Sequence, residues 1–575
     1  MKRFLVLASA VALPTILSAQ AARPASHGAG GSKPLPYKHA PRPTTANITA
    51  ADLMTRLYIF ADDSMMGREA GTIGNVKGTD YIAAEVKRLG LVPAGENGTY
   101  FQTIPLKTRE LDSASALSVN GARLALGTEW AATGSAPFAV SDLPTVFGGT
   151  IGDSASLISP DSTAGKLVVF AIGANANPRV LRGLARYAPN ATAVAAIVPD
   201  QMLGFARRTA TFVDDSAFAP RGGSARTILL TSAAAGKVFP SPLASVKAGT
   251  MGNPVAVGLV FRVQPVPFPA RNVVAILPGS DPKLEGEYVA IGAHNDHVGF
   301  SNRPVNNDSL RIFNHIVRPG GAENASNRGT PEQLAQFDTA WQAFRMANPT
   351  RAMRADSISN GADDDGSGSV SVLEIAEKLA SLKGAARPKR SIIFVWHVGE
   401  EKGLLGSAYF TDHPTVPRDS IVAQLNMDMV GRGAASDVVG LTKDGQVLHG
   451  GPTYLQLVGS RRLSTELGDI IEQVNTKDRH GFTFDYSMDA NGHPMNIYCR
   501  SDHYEYARYG IPITFFTTGG HSDYHQVTDE PDHIDYDHMA RVANLVEDVA
   551  LHVADLDHRV VVDQPKPDPR GTCRQ

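Results

Sequence analysis

The sequence predicts an α/β fold with a separate small module of β or α/β type. After Pro269, short β-branched or aromatic runs alternate with a helical segment, and each run ends in glycine, acids or histidine. From 139 to 255 the texture changes to short apolar pieces (KLVVFAI, TAVAAIVP, RTILLTS) between Ala-, Gly-, Pro- and Ser-rich connectors. The length of 575 residues, 43% apolar and 19% charged, allows more than one domain.

Taken in order, the chain opens on MKRFLVLASAVALPTILSAQAA, a basic start, an apolar run from Phe4 to Leu17 and small residues fitting cleavage near Ala21. Residues 1–21 therefore read as a signal peptide, and the protein is expected to be periplasmic or secreted. No run is long enough to span a bilayer comfortably, so stable membrane insertion is not expected. A net charge of -3 supplies no basic field for a nucleic acid. Residues 22–45, rich in Pro, Gly, Ala and Ser, read as a linker. Cys499 and Cys573 are the two cysteines; an oxidising compartment lets them pair, and their spacing leaves that open.

The main domain is expected over 46–138 and 256–560, followed by a C-terminal tail over 561–575. In GTDYIAAEVKRLGLVPAG, Tyr81, Ala84 and Leu89 are expected on one face of a helix that stops at Gly90. The runs RNVVAILPG, EYVAIGAH, RSIIFVWHVGEE, SIVAQLNMDMVG and IPITFFTTGG read as strands. Between them VSVLEIAEKLASLKG places Val372, Ile375, Ala376 and Leu379 at helical spacing. In such a sheet ligands gather at the carboxyl ends of strands. The ends here hold His294 and Asp296 in GAHNDH, the aspartates of SNGADDDGSG, Glu400 and Glu401 in VGEEKGLLGS, Asp428 in NMDMVG and His525 in SDYHQVTDEPDHID. The aspartate run does not read as a calcium loop, because its acids are consecutive rather than alternate. Two histidines with three carboxylates suit borderline divalent ions, of which zinc is the usual choice.

Together these motifs resemble the co-catalytic di-zinc metallopeptidase family of bacterial leucyl aminopeptidases and aminopeptidase Y. The resemblance implies a mixed central sheet flanked by helices, the zinc exopeptidase or phosphorylase/hydrolase-like arrangement. It also implies an inserted, small β-rich protease-associated domain over 139–255. It implies two Zn2+ per chain, held by His294, Asp364, Glu401, Asp428 and His525, with Asp364 bridging them and joined to Asp365 by a cis peptide. Glu400 is implied as general base, Asp296 as the acid that orients His294, and Tyr524 as an oxyanion donor. Strand alternation places His297 on the other face, as a bystander. Asp363, Asp365 and Asp502 are expected to form an acidic rim suited to a substrate ammonium group.

About 60 residues separate GAHNDH from the aspartate run, and 302–358 read as an inserted segment near the site, mainly a solvated surface excursion. It carries Arg303, Arg311, Arg318, Arg328, Arg345, Arg351 and Arg354. The implied activity is that of an aminopeptidase hydrolysing N-terminal residues of peptides through a hydroxide bridging two zinc ions. A carboxypeptidase of the glutamate carboxypeptidase type, gripping a carboxylate with those arginines, and a non-catalytic receptor-like relative are the alternatives. Peptides are the expected partners, and the oligomeric state is left open.

Overall fold

The computed structural model describes residues 35–575 except 135, 173–182, 185, 207–208, 216–225, 240–241, 319–328 and 434–436. The expected signal peptide, most of the expected linker and Arg328 lie outside the described residues. Among these, nine strands form one mixed sheet. They are β1 (Val92–Pro93), β2 (Phe101–Ile104), β3 (Ala270–Leu277), β4 (Tyr288–His294), β5 (Ser391–His397), β6 (Ile421–Met427), β7 (Tyr454–Val458), β8 (Thr483–Asp485) and β9 (Ile513–Thr517). The order is β1-β3-β5-β4-β6-β9-β7-β8, with β2 also on β3. The central strands β5, β4, β6 and β9 run parallel, while β3 and β7 join antiparallel on either side. Every residue of β5, β6 and β9 is buried, as strands covered on both faces require.

The main helices are α1 (Ala50–Phe60), α2 (Ile73–Arg88), α3 (Asn307–Val317), α4 (Pro331–Ala347), α5 (Gly368–Ser381) and α6 (Tyr536–Asp555). Val372, Ile375, Ala376 and Leu379 of α5 are all fully buried in the principal core, as their spacing predicts. In α2 the expectation holds in part: Tyr81 and Leu89 pack against the principal core, but Ala84 is exposed, and Gly78, Thr79, Ile82, Ala83 and Val86 are the residues that face inward. Small residues decide this, since Gly78 lies against Arg68 and Phe60, leaving no space for a larger side chain. The helix ends before Gly90, whose φ of +75° suits glycine.

Arg56 ties three helices together. It is 1% exposed and pairs with Glu85 of α2 at 2.7 Å and with Glu377 of α5 at 2.5 Å, and its Nε donates to Glu374. Burial holds the Glu374 carboxyl at about 7 even with Arg56 beside it. Replacing Arg56 with Met leaves buried Glu374 without its partner, while Glu85 and Glu377 keep Arg88, and is expected to cost about 3–5 kcal/mol by denaturant unfolding. Adding Glu374→Gln and Glu377→Gln should recover part of that loss, and a single-variant cost under about 1 kcal/mol would contradict the assignment.

The second module has its own sheet and its own apolar core, built around Trp130, Leu167, Val169, Ile228 and Val257. Its strands include Ala116–Val119 and Trp130–Thr133 as well as Met251–Leu259, so the expected boundaries at 139 and 255 cut through it. The strands before 139 are only four residues long, too short to announce themselves in sequence.

The inserted segment leaves and returns by a ribbon of Phe300–Asn306 and Ala355–Ile358. Its helix α4 has no buried residue, in keeping with a surface excursion. The rest departs from that expectation, because it sits on residues 522–530: Asn307 donates to the Val527 carbonyl at 2.8 Å, Arg354 pairs with Glu530 at 2.7 Å and His315 lies 3.2 Å from Ser522 Oγ. Cys499 and Cys573 are joined in a disulfide that fastens the C-terminal tail. Among the described residues no helix is long and apolar enough to cross a membrane.

Candidate metal centre and active site

The parallel strands end on one side of the sheet, and that edge carries the candidate site. His294 is the last residue of β4; Glu400 and Glu401 follow β5; Asp428 follows β6; and His525 lies in the loop after β9. Asp364 comes from the turn that leads into α5. Gly366 and Gly368 are needed in that turn, since a Cβ on either would meet Leu57, Asp365 or the Met427 carbonyl at under 3 Å. The Asp364–Asp365 peptide is cis.

Asp364 stands at the centre. Its Oδ1 is 3.1 Å from His294 Nε2 and its Oδ2 is 3.1 Å from His525 Nε2, so its two oxygens face two different imidazoles. His294 Nε2 also lies 3.7 Å from Asp428 Oδ1, and His525 Nε2 lies 2.9 Å from Glu401 Oε2. The five expected ligand residues thus meet as two adjoining groups that share Asp364.

A surrounding set of groups fixes them. Asp296 Oδ1 accepts from the backbone N–H of Gly399 at 2.8 Å and of Glu400 at 3.2 Å, while the His294 ring lies against its backbone carbonyl. Asp296 therefore locks both the His294 loop and the turn that presents Glu400. Asp365 accepts from the N–H groups of His294, Gly368 and Met429. Asp529 accepts from those of Asp363 and Asp364, and Asp363 accepts from Gly431 and faces His521 Nε2 at 3.2 Å. Ser501 Oγ donates to Asp428 Oδ2 at 2.7 Å. Fully buried Arg68 donates to the carbonyls of Asn360 and Gly361, just before the aspartates. Met429 and His525 adopt positive φ, +60° and +57°, a conformation rare outside glycine and tolerated where surroundings impose it.

Three expectations change here. Asp363, Asp365 and Asp502 are each 0% exposed, so they form no rim for a substrate ammonium group. The first two are consumed by backbone donors, and Asp502 faces His397 at 3.4 Å. His297 does not turn away: β4 ends at His294, the alternation stops there, and His297 Nδ1 comes 2.9 Å from Glu401 Oε1 and 3.7 Å from Asp364 Oδ2. Arg68 and Ser501 lie outside the strand-end motifs read from the sequence, and Asp529 lies inside SDYHQVTDEPDHID without a role assigned there; the fold brings all three to the site.

The electrostatics match a cation site. Burial lowers the His294 and His525 imidazoles, yet neighbouring carboxylates, Asp428 for the first and Glu401 for the second, carry both well above the usual histidine range. Burial and Asp364 push Glu401 up, but His525 and His297 outweigh them and bring it down. Burial raises Glu400 well above the ordinary carboxylate range, with Glu401, Asp428 and Asp502 adding to it and His294 opposing. His294 Nε2, Asp364 Oδ2, Glu401 Oε1 and His525 Nε2 are buried without a hydrogen-bond partner, which polar atoms seldom tolerate unless they serve an ion. Tyr524 stacks on the His525 ring at 3.8 Å, and its hydroxyl accepts from Arg500 at 3.4 Å.

The chain is similar to several known proteins. Leucine aminopeptidase 1 of Coccidioides posadasii (strain C735) is 33% identical over 202 residues, 34% of this chain and 47% of its own length. A probable leucine aminopeptidase of Arthroderma benhamiae is 30% identical over 189 residues, 32% and 45% of the two chains. This chain thus spans about half the length of the curated relatives it matches. Among solved structures, an aminopeptidase from Aneurinibacillus sp. strain AM-1 has a TM-score of 0.49 at 17% identity, covering 91% of this chain and 97% of that one. The profile of peptidase family M28 matches residues 272–550, the stretch that carries every strand end described above. Over residues 272–550, this chain is thus similar to peptidase family M28.

Proposed function

We propose that this protein is a zinc-dependent exopeptidase, an aminopeptidase that releases N-terminal residues from peptides, with two zinc ions per chain. The observation that carries this reading is Asp364, whose two oxygens face His294 and His525 separately at 3.1 Å. His294, Asp428 and Asp364 would hold one ion; Asp364, Glu401 and His525 would hold the other. Such a pair, when bound, lowers the pKa of water and polarises the peptide carbonyl.

The chain's own groups supply the rest. Glu400, its backbone fixed by Asp296, takes a proton from the attacking water on its carboxylate and returns it to the leaving amine. The Tyr524 hydroxyl, steadied by Arg500, donates toward the oxygen on which negative charge develops. Asp296 and Ser501 position His294 and Asp428 without touching substrate. The names of the curated relatives favour release from the amino end. Against a carboxypeptidase, Arg351 and Arg354 are already paired, with Asp308 and Glu530. The β-rich module is read as a protease-associated domain, and the leader as an export signal.

A panel of free-amine, N-blocked and C-terminally acidic peptides, with and without chelator, tests this. Only free-amine peptides should be cut, and only without chelator. Cleavage of N-blocked acidic peptides would favour the carboxypeptidase reading, and no cleavage of any peptide the receptor-like one.

A further inference from the structure

We propose that His297 is itself a metal ligand, completing the group of Asp364, Glu401 and His525, so that this position takes four protein ligands and the His294 position three. The inference rests on the two-metal reading above and adds a residue to it. Its Nδ1 lies 2.9 Å from Glu401 Oε1 and 3.7 Å from Asp364 Oδ2, while His525 Nε2 lies 2.9 Å from Glu401 Oε2 and 3.1 Å from Asp364 Oδ2. A tetrahedral zinc with bonds of about 2.0–2.1 Å has ligand atoms separated by roughly 3.3–3.4 Å. These separations, each between an imidazole and a carboxylate, bracket that spacing, with Glu401 presenting one oxygen to each ring, and His297, Asp364 and Glu401 lie together as one group of potential ligand atoms.

The ring is built into place. His297 is 0% exposed and neither of its nitrogens has a hydrogen-bond partner. Its backbone N–H donates to the Arg68 carbonyl at 3.3 Å, tying it to the segment that also holds Gly361 through Arg68 Nη2. A Cβ at Gly361 would stand 2.5 Å from His297 Cγ, and the φ of +55° there suits glycine as well. Glycine at 361 therefore leaves the space that this imidazole fills beside the aspartate run. On the opposite side the ring meets His525 edge-on, with centroids 5.7 Å apart.

Two unequal positions follow. A closed, four-ligand position binds zinc in the manner of a structural site, whereas a three-ligand position keeps a place for water or substrate. The ion beside His294 and Asp428 should leave first under chelation, and the ion beside His297 last.

Zinc K-edge X-ray absorption on the wild-type chain tests this without a variant. The fully loaded protein should show three imidazoles shared over two zincs, and the form retaining one zinc after partial chelation should show two imidazoles on it. His297→Ala should weaken the slower-leaving zinc by more than the roughly 10–100-fold typical of an outer hydrogen-bond partner, read by competition with a chromophoric chelator. Two zincs carrying one imidazole each would overturn the His297 assignment and leave the two-metal reading standing. A wild-type chain that takes up no zinc would overturn both.

Discussion

Replacing Glu400 with Gln is expected to leave two zinc ions bound and to lower kcat by about 10²–10⁴-fold, the range typical of a positioned acid–base group. Gln matches Glu in size, and the contact that places residue 400 is a backbone N–H to Asp296, which the substitution does not touch. What is lost is the ability to take a proton. Steady-state kinetics beside metal analysis distinguish this from a binding defect, since KM should change much less than kcat. A variant of near-normal rate would mean that another group moves the proton.

Asp364→Asn has the larger structural consequence. The carboxylate faces two ligand groups, and an amide offers one oxygen and an NH2 that cannot coordinate a cation. At least one zinc should be lost on dialysis, with activity falling to background. The chain should still fold, because Asp529 holds this turn through the backbone N–H groups of Asp363 and Asp364, which Asn retains. Metal-free variant and metal-free wild type are therefore expected to melt at similar temperatures. Two fully retained ions would show that Asp364 bridges nothing.

The reach of the sequence differs from element to element for physical reasons. Strand ends were legible because buried parallel strands are uninterrupted apolar runs, and the polar residue that ends each one marks the sheet edge. The α5 face was legible because four apolar side chains recur at helical spacing. In α2 Tyr81 and Leu89 pack as expected but Ala84 does not, since glycine and threonine pack inward there and hydropathy gives them little weight. Alternation failed for His297 because it was carried past the last residue of β4. The aspartates read as a rim are interior for a related reason: Asp363 and Asp365 meet backbone N–H groups of Met429, Gly431 and His294, and Asp502 meets His397, a proximity that only the fold creates. The docking of the inserted segment onto residues 522–530 likewise depends on contacts between positions some 175–220 apart in the chain.

The most direct measurement is a zinc titration of the chelator-stripped protein, following release of the N-terminal residue from an unblocked peptide. The account predicts no release by the stripped protein and a return of activity that saturates at two zinc ions per chain. Full activity in excess chelator would contradict it.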